Sequence, residues 1–154
     1  MSDKLNYQVE IKNAINDFIT VANLAGDAIS LDEITIEFLN APHKPPSKIP
    51  VGKMAIYAFW WKGTWLKVGK VGAKSHARYI SQHYTGSAQS TLAGSIIKDP
   101  KMKVITNFTL KELSAWIKES TCRVNILMPS TRNKGLLSLL ESFLHVRLQP
   151  RYEG

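Results

Sequence analysis

Residues 54–72 read MAIYAFWWKGTWLKVGKVG, and the fold turns on this stretch. Met54 to Trp61 and Thr64 to Lys70 are dense in β-branched and aromatic residues, and Lys62-Gly63 between them is a hairpin turn signal. A hairpin of this composition is built to be core. Two polar groups sit oddly in it: Tyr57 near the start of the first strand and Lys67 near the end of the second.

Downstream, Lys74 to Tyr84 predicts a helix with Ala77, Ile80 and Tyr84 on one face, and Ser90 to Lys98 a second one stopped before Pro100. Thr109-x-x-Glu112 caps a helix running through Lys118, CRVNILM (122–128) is a short buried strand, and Asn133 to Leu148 is a long helix ended before Pro150. Upstream, residues 4–25 place Ile11, Ile15, Phe18, Ile19 and Ala22 at helical spacing. SLDEITIEFLN (30–40) carries both a Ser30/Glu33 capping box and the strand-like alternation of Ile34, Ile36 and Phe38; the capping box favours helix. APHKPPSKIP (41–50) holds four of the seven prolines and reads as an extended linker. The expectation is an α+β fold: a small, mainly antiparallel three-stranded sheet flanked by helices over residues 50–154, preceded by an acidic helical extension and proline-rich linker over residues 1–49.

A chain of 154 residues that is 44% hydrophobic can bury a core of ordinary size. No run of about 18 apolar residues could span a bilayer, and MSDKLNYQVE lacks a signal-peptide layout, so the expectation is a soluble, cytoplasmic protein with no membrane partner. The single cysteine, Cys122, is expected to be a small core residue, and four scattered histidines do not assemble a structural zinc site.

The net charge of +8 is unevenly spread. Residues 1–37 carry seven acidic side chains against Lys4 and Lys12, whereas Phe38 to Lys98 contain nine Lys/Arg and no acid. Such a block suits a phosphate backbone; a merely solvated basic surface is the plainer alternative. The acidic extension is expected to pack on the core or to form a homodimer.

In the last helix, leucines together with Phe143 and Val146 cover most of the circumference, leaving a narrow wedge of Ser138, Glu141, Ser142 and His145. A solvated face would be wide and charged, so this wedge reads as the wall of a cleft. A carboxylate at such a border needs a cation, either arginine or a metal, and a structural salt bridge is the alternative to a functional one.

With these residues in place, the chain resembles the GIY-YIG endonuclease superfamily. Ala55-Ile56-Tyr57 stands for the first triplet, Lys67-Val68-Gly69 for the second, Arg78 for the arginine of the following helix and Glu141 for the glutamate of a late helix. The resemblance covers about residues 52–154. It departs from the family at Ala55 and Lys67, at Gln82 and His83, where the family often has an auxiliary histidine or tyrosine, and at the C-terminal asparagine, which is not evident after Pro150.

The resemblance implies a phosphodiester hydrolase acting on DNA with Mg²⁺ or Mn²⁺; RNA is the other polymer this chemistry allows. It implies Glu141 as metal ligand, Arg78 as phosphate clamp and Tyr57 as the group meeting the attacking water. Lys67 would accept the proton of Tyr57 if the nearby cations Lys70, Lys74 and Arg78 depress its pKa. His145, His83 and Gln82 are weaker candidates for auxiliary roles, and Lys53, Lys62, Lys70 and Lys74 for DNA binding. Lys44 and Lys48 could also track a backbone, and one of Trp60, Trp61 and Trp65 could stack on a base, although core packing suits most of them better. Gly69-Lys70 is not a phosphate loop, because Val71 stands where Ser or Thr is required. Two other functions fit the same residues: a nucleic-acid-binding module that has lost catalysis, and a protein-interaction domain whose acidic arm masks its basic face.

Overall fold

The computed structural model describes residues 3–86, 91–102 and 108–152. Helix α1 (Asp3–Leu24) is followed by a 3₁₀ turn (Leu31–Glu33), strands β1 (Thr35–Leu39), β2 (Lys53–Trp61) and β3 (Thr64–Val71), and a π-helical turn (Arg78–Gln82) that runs into α2 (His83–Thr85). Helices α3 (Leu92–Ile97) and α4 (Leu110–Ser120), strand β4 (Cys122–Pro129) and helix α5 (Lys134–Leu148) complete the order. The Ser90 start expected for the second downstream helix lies outside the described residues; α3 begins after Thr91, whose hydroxyl accepts from the Gly94 N–H. Among the described residues no helix is long and apolar enough to cross a membrane.

The architecture is α+β, with four antiparallel strands in the order β1-β4-β2-β3 rather than the three expected. The fourth is β1, from the segment the capping box had favoured as helix. Ser30 and Glu33 do form that box, but it closes only the three-residue 3₁₀ turn. Beyond it the alternation prevails, because β1 pairs with β4 from Thr35↔Leu127 to Leu39↔Arg123. The acidic N-terminal segment thus adds an edge strand to the sheet, and α1 packs on it through Tyr7, Ile11, Ile15 and Phe18. The proline-rich segment is fastened at His43, whose backbone N–H donates to Lys118 O at 2.7 Å and whose ring bonds Thr121 O and the Tyr84 hydroxyl.

Lys62 and Gly63 both have positive φ (43° and 81°), the pairing that lets a two-residue turn follow the twist of its strands. Alternation along β2 and β4 then divides the interior in two. Met54, Ile56 and Ala58 with Val124, Ile126 and Met128 face α1 and α5. Ala55, Tyr57, Phe59 and Leu127 face the π-turn, α3 and α4. Cys122 is buried and unbridged on the first side.

Candidate active site at the sheet edge

Strand β3 is last in the sheet order, its outer side partly covered where the Arg151 and Tyr152 N–H groups donate to the Trp65 and Leu66 carbonyls, and its irregularity builds the site. The register passes from Phe59↔Lys67 to Trp60↔Trp65, so Leu66 is an extra residue, a β-bulge. Strict alternation from Trp65, which packs toward α1, would send Lys67 toward α1 as well. The bulge resets the count and places Lys67 opposite Phe59 on the other face, buried completely. Its Nζ has no hydrogen-bond partner among the described residues. Burial, and then the charge of Arg78, push its pKa down to about 8, while Glu141 pulls weakly the other way. Of the cations Lys70, Lys74 and Arg78 expected to lower it, only Arg78 contributes, and desolvation is the larger cause.

Tyr57 lies directly opposite Gly69, so Tyr57 and Lys67 are diagonal neighbours rather than a facing pair. A Cβ on Gly69 would come 2.2 Å from the Tyr57 hydroxyl. The glycine of the second triplet is therefore dictated by the tyrosine of the first: only a residue without a side chain lets the phenol lie across β3. Burial raises the Tyr57 pKa, but a hydrogen bond from Arg78, the charge of Arg78 and that of Arg123 oppose the rise. The π-helical turn carries Arg78 at its first residue.

Glu141 reaches the same edge from the opposite face, on α5, and its charge is felt at both Tyr57 and Lys67. It is 24% exposed and forms an ion pair with Lys70 at 3.4 Å. One turn on, His145 Nε2 donates to the Val68 carbonyl at 2.9 Å and so fastens α5 to β3. Tyr57, which lies across Gly69, and Lys67 thus both stand within electrostatic reach of Arg78 and Glu141.

Of the weaker candidates, His83 lies beside the cluster. His83 is fully buried, and its Nδ1 accepts from the Leu92 N–H at 3.0 Å, which leaves the proton on an unpartnered Nε2. Burial together with Arg78, Lys67 and Arg123 pushes its pKa down to about 2, so it stays neutral against the Tyr57 ring at 4.4 Å. Gln82 is half-buried at the end of the π-turn. Lys70 and Lys74 line a groove with Arg78; Lys53 begins β2 at the same end of the hairpin. Lys62 is at the hairpin tip, about 30 Å along the strand from Lys53, over the ring of Trp61. Trp60 and Trp65 are buried, and Trp61 is half-buried against Trp116.

One residue of the cluster is absent from the sequence expectations. Arg123 is fully buried, donating to Asn125 Oδ1, the Tyr84 hydroxyl and the Tyr79 carbonyl, with its guanidinium 4.9 Å from the Tyr79 ring centroid and 5.7 Å from that of Tyr57. Asn125 donates in turn to Glu37 on β1. The signal was present in CRVNILM: Arg123 and Asn125 are two apart, hence on one face of an otherwise apolar strand.

For a divalent cation, the donor set is one carboxylate. Among the described residues no group of three or more His, Cys, Asp or Glu comes together. Mg²⁺ keeps several waters and is commonly held by one or two carboxylates plus substrate phosphates, so a partly exposed Glu141 fits it, with Lys70 as the competing cation. Comparison with protein-family models, with curated proteins and with solved structures finds no match to this chain.

Proposed function

We propose that the protein is a divalent-metal-dependent DNA endonuclease of the GIY-YIG type, hydrolysing phosphodiester bonds at the edge of β3. What supports this reading most is that Tyr57, lying across Gly69, and Lys67 both stand within electrostatic reach of Arg78 and Glu141, with a buried Lys67 ammonium that has no hydrogen-bond partner among the described residues. A structural lysine would be paired or would extend to water.

The chemistry follows from the groups. Arg78 forks onto nonbridging phosphate oxygens and neutralises charge as the phosphorus becomes pentacovalent. The Tyr57 hydroxyl holds the attacking water; as the water oxygen bonds to phosphorus, its proton passes through Tyr57 to neutral Lys67, whose unpartnered Nζ must first close on the phenol, and the phosphorus–oxygen bond to the leaving sugar breaks with the sugar oxygen taking a proton from solvent. With a pKa of about 8, Lys67 is neutral in roughly a tenth of molecules at pH 7. Glu141 would hold Mg²⁺ or Mn²⁺, which supplies Lewis-acid stabilisation of the developing charge.

The test is incubation with supercoiled plasmid, with and without Mg²⁺ or Mn²⁺, for wild type and Glu141→Ala. Metal-dependent nicking lost in the variant is expected. Nicking that persists unchanged in Glu141→Ala removes the site assignment. Tight, salt-sensitive binding without cutting identifies the protein as a binding module, and neither binding nor cutting leaves an interaction domain.

A further inference from the structure

Where β3 leaves the sheet, an open groove of about 590 Å³ runs between the 70–78 segment and the first turns of α5. Lys70, Lys74, Arg78 and Lys134 line it, with Ser130 and Ser138, and among the described residues its lining includes no carboxylate although the chain has 12 Asp and Glu. Its floor is apolar: Met54, Val71 and Leu137 are each at most 4% exposed. Lys70 is partly offset by Glu141 outside the lining, but with Lys74, Arg78 and Lys134 the cations over a low-dielectric floor still leave a net positive field in the groove, an arrangement relieved by a polyanion. A solvated basic face would intersperse its lysines with acids.

We propose that this groove docks the phosphodiester backbone of nucleic acid on one side of the scissile phosphate, with Lys74 and Lys134 as its outer phosphate contacts. The assignment rests on the nucleic-acid part of the functional reading above and extends it to a segment, α5's first turn, that the charge pattern of the sequence did not single out. Helical spacing supplies the geometry. Lys134, Ser138, Glu141 and His145 follow one another at four, three and four residues, so they form one stripe along α5. The stripe leads from the groove to the cleavage centre. Seven residues of helix separate Lys134 from Glu141, about 10 Å, so Lys134 meets the backbone a short way along the strand from the phosphate facing Glu141. Lys70 stands between the two regions, in the groove yet paired with Glu141 at 3.4 Å. Ser75, Ser130 and Ser138 add hydroxyl groups for phosphate oxygens.

The experiment is a salt series of anisotropy titrations with a fluorescein-labelled 20-base-pair duplex in EDTA, where no cutting intervenes. Lys74→Gln/Lys134→Gln is expected to bind at least tenfold more weakly and to lower the slope of log K against log salt by about 1.8, roughly 0.9 for each phosphate no longer neutralised. Lys111→Gln, an exposed lysine of α4, is expected to match wild type. Thermal melts of all three confirm that folding is unchanged. A double variant with wild-type affinity and slope overturns the groove, even if the wild-type protein nicks plasmid. Competition by inorganic phosphate or a mononucleotide as effective as that by duplex also overturns it, since the site would then hold a small anion. Binding that shows the slope change in a protein that never nicks keeps the groove and removes the nuclease.

Discussion

The same two strands build two unlike interiors. Toward α1 and α5, β4 presents Cys122, Val124, Ile126 and Met128; toward the π-turn and α4 it presents Arg123, Asn125 and Leu127. β2 repeats the contrast, with Ile56 on one face and Tyr57 on the other. The first face is apolar throughout its strand positions and needs no partners beyond good packing. The second buries Lys67, Arg123 and His83, each at 0% exposure, and His43 at 8%. An unsatisfied buried polar atom costs about 1–3 kcal/mol, so Lys67 Nζ and His83 Nε2 weaken this face relative to the other. Fold stability and proposed chemistry are therefore separable by a single residue step along one strand.

The largest expected effects test that separation directly. Ile56→Ala removes a fully buried side chain from the apolar face and is expected to cost about 2–5 kcal/mol in urea unfolding, while nicking persists at temperatures where the variant stays folded. Tyr57→Phe deletes one hydroxyl and is expected to change stability by about 1 kcal/mol or less, yet to abolish nicking. If the folded Ile56→Ala variant loses nicking and Tyr57→Phe keeps it, the two faces do not divide the labour. Gly69→Ala lies between the pair: the added methyl must displace the phenol, with a stability loss on the order of 1–3 kcal/mol and loss of nicking together.

How much of this was legible in the sequence depends on how local the determining interaction is. The hairpin and α5 were readable because a turn dipeptide and a helical period act within a few residues. β1 was misread because its capping box is local, whereas its pairing with β4 joins distant positions, such as Glu37 and Asn125, 88 residues apart in the chain. The positions of Tyr57, Lys67, Arg78 and Glu141 could be picked out, but their relation could not. One bulged residue, Leu66, decides which face Lys67 joins, and nothing in TWLKVGK marks it as a bulge. Arg123 was within reach of the alternation argument, since a charge in a buried strand requires partners, here Asn125, Tyr84 and the Tyr79 carbonyl.

A change of pH sharpens the contrast between the faces. His43 is held neutral by burial, against a hydrogen bond from its ring to Thr121 O, and its pKa falls to about 4; that of His83 falls to about 2. Well above pH 6.5 both are neutral folded or unfolded, and they contribute nothing to the pH dependence. Below 6.5 the unfolded chain takes up protons the folded chain refuses, so stability declines, by about 3 kcal/mol from His43 alone on reaching pH 4. Urea midpoints between about pH 6 and 4.5 are expected to fall with a slope near two protons in wild type and near one in His43→Gln. An equal slope in both proteins would show that the polar face does not carry this sensitivity.

One stability effect has the opposite sign and carries the most mechanistic information. Lys67 is wholly buried, unpartnered among the described residues and depressed to about 8, so folding is disfavoured below the ordinary lysine pKa of 10.5; the penalty grows as pH falls to 8 and is constant beneath it. Lys67→Met keeps the length of the side chain and removes the charge, and is expected to stabilise the protein by about 1–3 kcal/mol at pH 7. If Lys67 is the final proton acceptor, wild-type nicking rises about tenfold per pH unit up to about pH 8 and then levels, because the neutral amine is the active form. Lys67→Met should lose that limb along with most of its rate. A variant that is more stable and equally active would place Lys67 among the structural residues and leave Tyr57 without a proton acceptor. A variant that is less stable would mean that the ammonium is better satisfied than its burial among Arg78, Tyr57 and His83 indicates, and the contrast between the two faces would then be one of shape rather than of energy.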